Sequence, residues 1–402
     1  MKNSSQSCNK EDFSISYGRQ SISDDDIKAV VSVLRDDYLT QGPLVPEFEE
    51  KFARYVGSKY AISVTSGTSA LHLSALALGV NEKSKVITTP MTFVASANCI
   101  RYCGGEVVFS DIDSFNATIN LDLLCMFLKS SPKGTYQGII PVDLAGYPVD
   151  LEKLRKIADE FGLWLLEDAC HAPGGYFVDS KGTKQLCGNG KYADLTVFSF
   201  HPVKHITTGE GGMITTNNKD LYKKLLSLRT HGITKDPNEL TENHGGWYNE
   251  MQELGYNYRL PDVLCALGVS QLEKAADGIK RRREIADIYD QAFKDIKGIE
   301  IVSGSNKDLL SKGIGHAYHL YVIRIKNRKQ LYNYLRDNNI FAQVHYLPVS
   351  LMPYYKSLGH KKGDMPVAEK YYEECLSLPM YPTLTVEEQK FVIEKVKEFV
   401  KN

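Results

Sequence analysis

Short apolar runs typical of strands alternate with helix-like segments between about residues 45 and 260 of this 402-residue chain. Helical spacing of apolar residues marks the segments 70–79, 94–103 and 150–162, and glycines follow two of them. This alternation is typical of a sheet with helices packed on its faces, so the sequence predicts an α/β fold with a largely parallel sheet. The strand-like runs are "YAISV" (60–64), "KVITT" (85–89), "EVVFS" (106–110), "GIIPV" (138–142), "LWLLE" (163–167), "LTVFSF" (195–200) and "GMITT" (212–216).

The pattern changes after Pro261, where a long charged and periodic stretch predicts one helix that leads out of the large domain. Shorter strand and helix signals follow at 320–325 and 329–339, and they indicate a second, smaller α/β domain. The predicted division is an N-terminal segment (1–44), a large domain (45–260) and a linking helix with a small C-terminal domain (261–402). A junction of this kind favours an active site.

Charge and cysteine content limit the classes of partner. The chain has 48 basic and 49 acidic residues, so it has no electrostatic footprint for nucleic acid or a membrane surface, and a small-molecule partner is expected. No apolar run is long enough to span a membrane, and the polar start "MKNSSQSCNKEDF" does not read as a signal peptide. The eight scattered cysteines indicate reduced thiols, with Cys99 and Cys103 as structural residues rather than metal ligands. A cytoplasmic location is the expectation.

The turn "SGTSA" (66–70) follows a predicted strand and precedes a predicted helix. Free N–H groups and hydroxyls at a helix N-terminus can bind a phosphate, and the helix dipole favours the negative charge. Ordinary N-capping by Ser66 or Thr68 explains the same residues equally well. The turn matches neither the dinucleotide-binding nor the P-loop glycine pattern, which weakens a nicotinamide or NTP interpretation.

A second motif, "LLEDACHA" (165–172), delivers two carboxylates to the end of an apolar strand. A buried carboxylate at this position requires a cationic partner, and a protonated ring nitrogen of a cofactor is one candidate for Asp168. For Glu167 we prefer a role in capping the next segment. His171 could contact such a ring or be a structural histidine.

Lys204 lies in "FSFHPVKHITTGEGG" (198–212), after the next strand at the same predicted sheet edge. A solvated loop amine is the ordinary interpretation of a lysine, but its neighbours include Pro202, Val203 and Ile206 and no charged run. A desolvated lysine has a lowered pKa and can form an imine with an aldehyde. A phosphate cup, a carboxylate for a ring nitrogen and an imine-forming lysine together describe a pyridoxal 5'-phosphate (PLP) site.

The chain also resembles the DegT-type family of sugar-nucleotide aminotransferases over nearly its whole length, from "SYGRQSIS" onward. This resemblance implies a PLP-dependent transferase of fold type I, with the aspartate-aminotransferase-like fold. Within the family, the chain most resembles the branch that aminates C4 of a UDP-linked 4-keto-6-deoxy-N-acetylhexose. The segments that carry the resemblance are "DYLTQGPLVPEFEEKFA", "SGTSALHLSALALGV", "TTPMTFVASAN", "EDACHA", "FSFHPVKHITTGEGG", "RTHGIT", "ELGYNYRL" and "VHYLPV".

The resemblance assigns cofactor contacts residue by residue. Lys204 would form the imine with PLP, and Asp168 would pair with the ring nitrogen. Asn257, in "GYNYRL", matches a position that reaches the phosphate from the neighbouring subunit, so the active unit would be a homodimer with shared sites. The remaining cofactor contacts, some at the phosphate and some at the ring, would be Gly67, Thr68, Phe93, His171 and Ser199. Phe93 could instead be a plain core aromatic.

Substrate contacts are also implied by the resemblance. Hydroxyl, amide and imidazole groups suit sugar hydroxyls, an N-acetyl group and a diphosphate, although any of these residues could be a capping or core polar group. Many members of the family have glutamine at the position of His171, and histidine there fits the branch named above. The residues that match the sugar-nucleotide pocket are Tyr17, Arg19, Gln41, His345 and Tyr346.

The implied reaction transfers the amino group of L-glutamate to the UDP-linked ketosugar, with Lys204 as general base and acid. Three alternatives remain open. One is another sugar-nucleotide aminotransferase, which acts on a different ketosugar or at C3. A related PLP-dependent sugar dehydrase lacks the lysine, although His205 lies next to Lys204. The third is a non-catalytic PLP-binding regulatory protein.

Overall fold

The computed structural model describes residues 14–401. The expectation of a polar tail without a signal peptide falls on residues 1–13, which lie outside the described part. Within 14–401, no helix is both long and apolar enough to cross a membrane.

The strands are β1 (Ile15–Ser16), β2 (Tyr60–Val64), β3 (Lys85–Thr88), β4 (Glu106–Phe109), β5 (Gly138–Ile140), β6 (Trp164–Asp168), β7 (Tyr176–Val178), β8 (Lys184–Leu186), β9 (Leu195–Ser199), β10 (Gly212–Thr216), β11 (Ile233–Thr234), β12 (Glu250–Met251), β13 (Glu300–Ile301), β14 (Ile314–Gly315), β15 (Tyr321–Arg324), β16 (Ile340–Phe341) and β17 (Cys375–Leu378). The α-helices are α1 (Asp24–Leu34), α2 (Leu44–Val56), α3 (Gly67–Ala77), α4 (Ala95–Tyr102), α5 (Leu121–Lys129), α6 (Leu151–Phe161), α7 (Lys219–Arg229), α8 (Asp262–Glu273), α9 (Ala275–Phe293), α10 (Asn306–Ser311), α11 (Arg328–Asp337), α12 (Pro353–Ser357), α13 (Pro366–Glu374) and α14 (Val386–Lys401). Two 3-10 turns span Leu144–Gly146 and Val349–Leu351.

Seven strands form the central sheet in the order β2-β10-β9-β6-β5-β3-β4. Strand β10 pairs antiparallel with both of its neighbours, and the pairs on the other side of β9 are all parallel. The carboxyl ends of β2, β6 and β9 therefore meet at one edge, where an open α/β sheet binds its ligand. The predicted α/β fold with a largely parallel sheet is confirmed.

Local sequence signals explain the helices beside that edge. Helix α3 begins at Gly67, three residues before the predicted start, because the Ser66 hydroxyl accepts the N–H of Ser69 and the Ser69 hydroxyl accepts the N–H of Ser66. Helix α6 begins after Asp150, whose carboxylate accepts the N–H of Lys153, and ends at Gly162 in the left-handed conformation.

The single helix predicted after Pro261 is wrong, because two helices, α8 and α9, meet at Lys274. The backbone N–H of Lys274 bonds the carbonyl of Gln271, three residues earlier, so the regular helical ladder stops there. The Lys274 ammonium forms an ion pair with the buried carboxylate of Asp26, at 2.6 Å, which ties the junction to α1.

The C-terminal part contains a smaller antiparallel sheet of β13, β15 and β17. Strand β1 pairs with β16, so the N-terminal segment is attached to this part rather than to the large sheet. As a result, the ring of Tyr17 lies 5.1 Å from the ring of His345. The division into residue ranges at 44 and 260 stays a prediction.

Candidate active site

A cavity of about 410 Å³ lies at the sheet edge where β2, β6 and β9 end, between the large sheet and the C-terminal part. It collects ten of the thirteen predicted site residues: Tyr17, Gly67, Thr68, Phe93, Asp168, His171, Ser199, Lys204, His345 and Tyr346. Most of the residues that the motifs indicated separately therefore share one space.

Three predicted residues lie outside the lining of this cavity. Arg19, Gln41 and Asn257 are each exposed on the described chain. Asn257 was assigned to the site of a neighbouring subunit, so its role stays a prediction, as do the roles of Arg19 and Gln41. A hydrogen bond from the Thr65 N–H to the Tyr258 carbonyl, at 3.0 Å, holds the segment beside Asn257 against the end of β2.

Lys204 lies in the loop between β9 and β10, and its side chain lines the cavity. Its N–H bonds the carbonyl of His201 at 2.9 Å, and the N–H of Phe200 bonds the carbonyl of Gly211 at 2.9 Å, which closes the loop at its base. Burial lowers the pKa of the Lys204 amine. Within residues 14–401, no hydrogen bond or ion pair is assigned to its Nζ. The lowered pKa and the position at the cavity favour a desolvated amine over a solvated loop amine, and the role of Lys204 stays a prediction.

Asp168 ends β6 and is only 5% exposed. Its Oδ1 accepts the N–H of Cys170 at 3.1 Å, and its Oδ2 accepts the hydroxyl of Ser96 at 2.6 Å. Sequence reasoning missed Ser96, although "MTFVASAN" places this small polar residue in the first turn of α4, one turn after Thr92.

The first turn of α3 and the end of β9 face each other across the cavity. A Cβ atom on Gly67 would lie 2.9 Å from the Cβ of Ser199, so only glycine leaves the present spacing undisturbed. The start of β10 is equally tight, because a Cβ on Gly212 would lie 2.4 Å from the Ser66 carbonyl oxygen. Capping by Ser66 is confirmed, and the Thr68 hydroxyl is not used as the cap, so it lines the cavity beside Gly67.

Neutral imidazoles form another wall. The Nδ1 of His171 accepts the N–H of Ala145 at 3.2 Å, and burial keeps the His171 pKa well below its usual range. Burial and the nearby Lys204 lower the pKa of His345 to about 3. The hydroxyl of Tyr346 lies 3.4 Å from the Nε2 of His171, which is the nitrogen that carries the proton when Nδ1 accepts.

Phe93 is 57% exposed and lies at the cavity, with its ring 6.3 Å from that of Tyr346. The interpretation of Phe93 as a plain core aromatic is therefore wrong. An exposed ring beside a cavity is free to contact a planar ligand.

Glu167 does not cap the next segment, contrary to the expectation. It points away from the cavity, where its Oε2 accepts the hydroxyl of Thr196 at 2.7 Å and the N–H of Gly188 at 3.0 Å. The carboxyl of Asp143, which sequence reasoning missed, lies within 4.8 Å of the Glu167 carboxyl and the Cys187 sulfur, and all three residues are buried. Burial and mutual repulsion raise the pKa of Asp143, and burial raises that of Glu167.

The comparisons with known proteins agree with this geometry. Residues 20–397 match the model of the DegT/DnrJ/EryC1/StrS aminotransferase family. The chain belongs to this family. It is 37% identical to a UDP-4-amino-4,6-dideoxy-N-acetyl-beta-L-altrosamine transaminase of Campylobacter jejuni, over 96% of the chain and 99% of the relative. It is also 35% identical to the GDP-perosamine synthase of Escherichia coli O157:H7, over 90% and 91%.

Solved structures give the same result. The Helicobacter pylori aminotransferase PseC, involved in the biosynthesis of pseudoaminic acid, superimposes with a TM-score of 0.85 at 31% identity and covers 97% of this chain and 100% of its own. The PLP form of the putative sugar aminotransferase Spr1654 from Streptococcus pneumoniae gives a TM-score of 0.86 at 28% identity, over 97% and 99%. The predictions of fold type I and of a PLP-dependent aminotransferase are confirmed.

The residues of the cavity fit PLP. The Lys204 amine has a lowered pKa and, within residues 14–401, no hydrogen-bond or ion-pair partner, which suits an amine that can bond an aldehyde. Asp168 is a buried carboxylate in the same cavity, and such a group can serve as the counter-charge for a protonated ring nitrogen. Glycine at position 67 lets the end of β9 pack closely against the first turn of α3, so the Ser199 hydroxyl and a helix N-terminus that can bind a phosphate line the same cavity.

Proposed function

We propose that the protein transfers the amino group of L-glutamate to C4 of a UDP-4-keto-6-deoxy-N-acetylhexose and forms UDP-4-amino-4,6-dideoxy-N-acetyl-β-L-altrosamine, a reaction of pseudaminic acid biosynthesis. The observation that carries the proposal is that Lys204, Asp168 and the turn after β2 line one cavity in a chain that matches the Campylobacter transaminase almost end to end. His171 lines this cavity, and by resemblance a histidine at this position, where many members of the family have glutamine, fits the same branch.

Lys204 is proposed as the proton carrier at the reacting carbon. When bound, PLP supplies an aldehyde that receives the amino group and a ring that withdraws electrons from the donor. The lowered pKa of Lys204 favours the neutral form of its amine, which is the form that takes the proton from the α-carbon of L-glutamate. In the second half of the reaction, the same amine delivers a proton to C4 of the sugar.

Asp168 is proposed to hold the ring nitrogen of the cofactor in its protonated state. Because Asp168 is buried and accepts two hydrogen bonds, its carboxylate is fixed in direction. The first turn of α3, with Gly67 and Thr68, and the hydroxyl of Ser199 are proposed to bind the phosphate. Phe93 and His171 are proposed to flank the ring.

The sugar nucleotide is proposed to enter beside the C-terminal part, where polar rings cluster. Tyr17 and His345 are in ring contact, and Tyr346 lies next to His171. These neutral donors and acceptors suit the hydroxyls and the N-acetyl group of the sugar. We also propose contacts from Arg19 and Gln41, which are both exposed and lie outside the lining of the cavity.

The active unit is proposed to be a homodimer in which Asn257 reaches the phosphate bound by the other subunit. Asn257 is exposed, and it belongs to an extended segment in which Tyr256 and Tyr258 pack toward His72 instead. Alternate residues of an extended chain point to opposite sides, so Asn257 faces away from its own core. We also propose a cytoplasmic location, because the seven cysteines of the described chain are all unpaired.

The test is to incubate the purified protein with PLP, 15N-labelled L-glutamate and candidate UDP-4-ketosugars, and to identify the product by NMR. We expect the label on C4 of the altro-configured sugar. A label at C3, or turnover only of a GDP-linked or differently configured ketosugar, would assign the protein to another specificity within the family. Inertness toward every amino donor in a yellow, PLP-loaded protein would support a regulatory role instead.

The role of Lys204 has a separate chemical test. Borohydride reduction of the PLP-loaded protein should leave a pyridoxyl group on the peptide that contains Lys204, which mass spectrometry detects. A tag on any other lysine would refute the assignment. Lys204→Ala serves as the control that should remain untagged.

A further inference from the structure

Three side chains form a row that ends at the carboxylate of Asp168. The hydroxyl oxygens of Thr92 and Ser96 are 2.7 Å apart, and the Ser96 oxygen is 2.6 Å from the Oδ2 of Asp168. All three residues are buried: Thr92 and Ser96 are each 1% exposed, and Asp168 is 5% exposed. This low exposure limits the access of water to these hydrogen bonds.

The chemistry of the three groups determines which hydroxyl donates each hydrogen bond in this row. An ionised carboxylate only accepts hydrogen bonds, so the single hydroxyl hydrogen of Ser96 must go to Asp168. Ser96 then has no hydrogen left for Thr92, and the Thr92 hydroxyl must donate to the Ser96 oxygen. Successive donation along such a chain polarises each member and strengthens the final bond to the charged group.

The row joins two separate elements of the fold. Ser96 lies in the first turn of α4 and Thr92 lies in the loop before that helix, whereas Asp168 ends β6, two strands away from β3 in the central sheet. The N–H of Cys170 holds the other carboxylate oxygen from the loop that follows β6. The carboxylate is thus clamped between a side chain of one element and the backbone of another, which restricts its rotation about χ2.

We propose that Ser96 is a positioning residue of the aminotransferase, which with the Thr92 hydroxyl behind it aims the Asp168 carboxylate at the ring nitrogen of the cofactor and keeps the proton on that nitrogen. The inference rests on the proposed role of Asp168. The Ser96 hydroxyl is a hydrogen-bond donor that stabilises the charged carboxylate, so that the proton shared with the ring stays on the ring nitrogen.

Loss of the Ser96 hydroxyl has two expected effects. Without that donor, the proton moves from the ring nitrogen toward the Asp168 oxygen, and the ring withdraws electrons less strongly. The carboxylate also gains rotational freedom. A hydrogen bond to a charged group is worth about 1.5–3 kcal/mol, which corresponds to roughly a 10- to 100-fold slower half-reaction with L-glutamate.

The test uses apoprotein reconstituted with PLP labelled with 15N at the ring nitrogen, and its main readout is the 15N resonance of the bound cofactor. In Ser96→Ala, we expect the resonance to move toward that of an unprotonated pyridine. Ser96→Thr, which keeps the hydroxyl, should return the resonance and the half-reaction to near the wild-type values. Thr92→Val, which removes only the outer hydroxyl, should give an intermediate shift.

A matched control removes a buried serine that has no contact with Asp168. Ser74 on α3 is fully buried and has no hydrogen-bond partner for its hydroxyl, so Ser74→Ala should leave the 15N resonance unchanged. A wild-type resonance in PLP-loaded Ser96→Ala would overturn the proposal. If Ser96→Ala does not fold, an unchanged resonance in Thr92→Val would overturn the proposed row.

These readouts do not depend on the sugar specificity. They use PLP and L-glutamate alone, so a different ketosugar would change the proposed function without moving the 15N results. Conversely, a normal 15N resonance in Ser96→Ala, combined with correct C4 amination by the wild type, would reject the positioning role and leave the proposed function intact.

Discussion

Gly67→Ala should weaken PLP binding although alanine is the better helix former. The added Cβ would lie 2.9 Å from the Cβ and 3.3 Å from the hydroxyl oxygen of Ser199. Ser199 ends β9 and cannot yield as a flexible surface side chain would, so its hydroxyl must turn or move away from the first turn of α3. The substitution therefore acts on the proposed phosphate cup itself.

The expected magnitude follows from the lost contact. A hydrogen bond from the Ser199 hydroxyl to a charged phosphate contributes about 1.5–3 kcal/mol, so the dissociation constant of PLP should rise roughly 10- to 100-fold. The higher helix propensity of alanine has the opposite sign, but it affects only the free energy of unfolding, where alanine is about 1 kcal/mol more favourable than glycine. That gain is present with and without PLP, so it does not enter the binding constant.

The assay is titration of apoprotein with PLP, followed by the visible absorption of the bound cofactor. Gly278→Ala is the matched control, because Gly278 lies in α9 and its Cβ would be 3.8 Å from Pro382, an ordinary contact. We expect wild-type affinity for Gly278→Ala. Ser199→Ala should weaken binding as Gly67→Ala does, and the double variant should add little, because both remove the same contact. Wild-type PLP affinity in Gly67→Ala, or full additivity with Ser199→Ala, would refute the reasoning.

Three further predictions concern charge and assembly. Asp168→Asn should retain the fold but lose about 100-fold or more in turnover, because an amide cannot replace a buried carboxylate beside a cation; near-normal turnover with cofactor bound would exclude the role. A mixed dimer of Lys204→Ala and Asn257→Ala chains, each nearly inactive alone, should recover about half of the wild-type activity, because one site then contains both native residues; a verified mixed dimer without activity would remove Asn257 from the neighbouring site. The pKa values of the Asp143 and Glu167 carboxyls are raised in the folded protein, so folding favours their protonated forms. The stability that these two carboxyls contribute is complete at a pH below the ordinary carboxyl range and is lost as the pH rises. The wild type should therefore lose thermal stability relative to Asp143→Asn above about pH 4. Parallel melting profiles of these two proteins from pH 5 to 8 would contradict this.

The sequence predicted the large sheet well because its strands are buried on both faces and appear as continuous apolar runs. The direction of β10 was not predictable, since "GMITT" is apolar in either orientation. The break at Lys274 was also missed, because it depends on a contact with Asp26, which is remote in sequence. Tertiary contacts of this kind leave no periodic signal.

For the candidate site, motifs at strand ends predicted Lys204 and Asp168 because parallel strands bring their carboxyl ends together. Ser96 could not be predicted in the same way, since one small polar residue in a helix has many ordinary explanations. Asp143 and Glu167 were missed as a pair because Asp143 lies in the loop after β5, Glu167 lies in β6, and neither residue lines the cavity. Phe93 was assigned only through resemblance, and its exposure then excluded a core role.

The antiparallel direction of β10 also affects how this site can change in evolution. Because β9 and β10 are adjacent and antiparallel, the segment 201–210 leaves and re-enters the sheet at the same edge, and the bond from Phe200 to Gly211 closes it. A parallel connection would have required a long crossover that packs against the rest of the domain. Within this segment, Ile206 and Thr208 are fully buried, whereas residues 201–205 are exposed or half-buried. A descendant of this protein can therefore change the residues around Lys204, the proposed nucleophile, while the paired strands and Asp168 keep their positions.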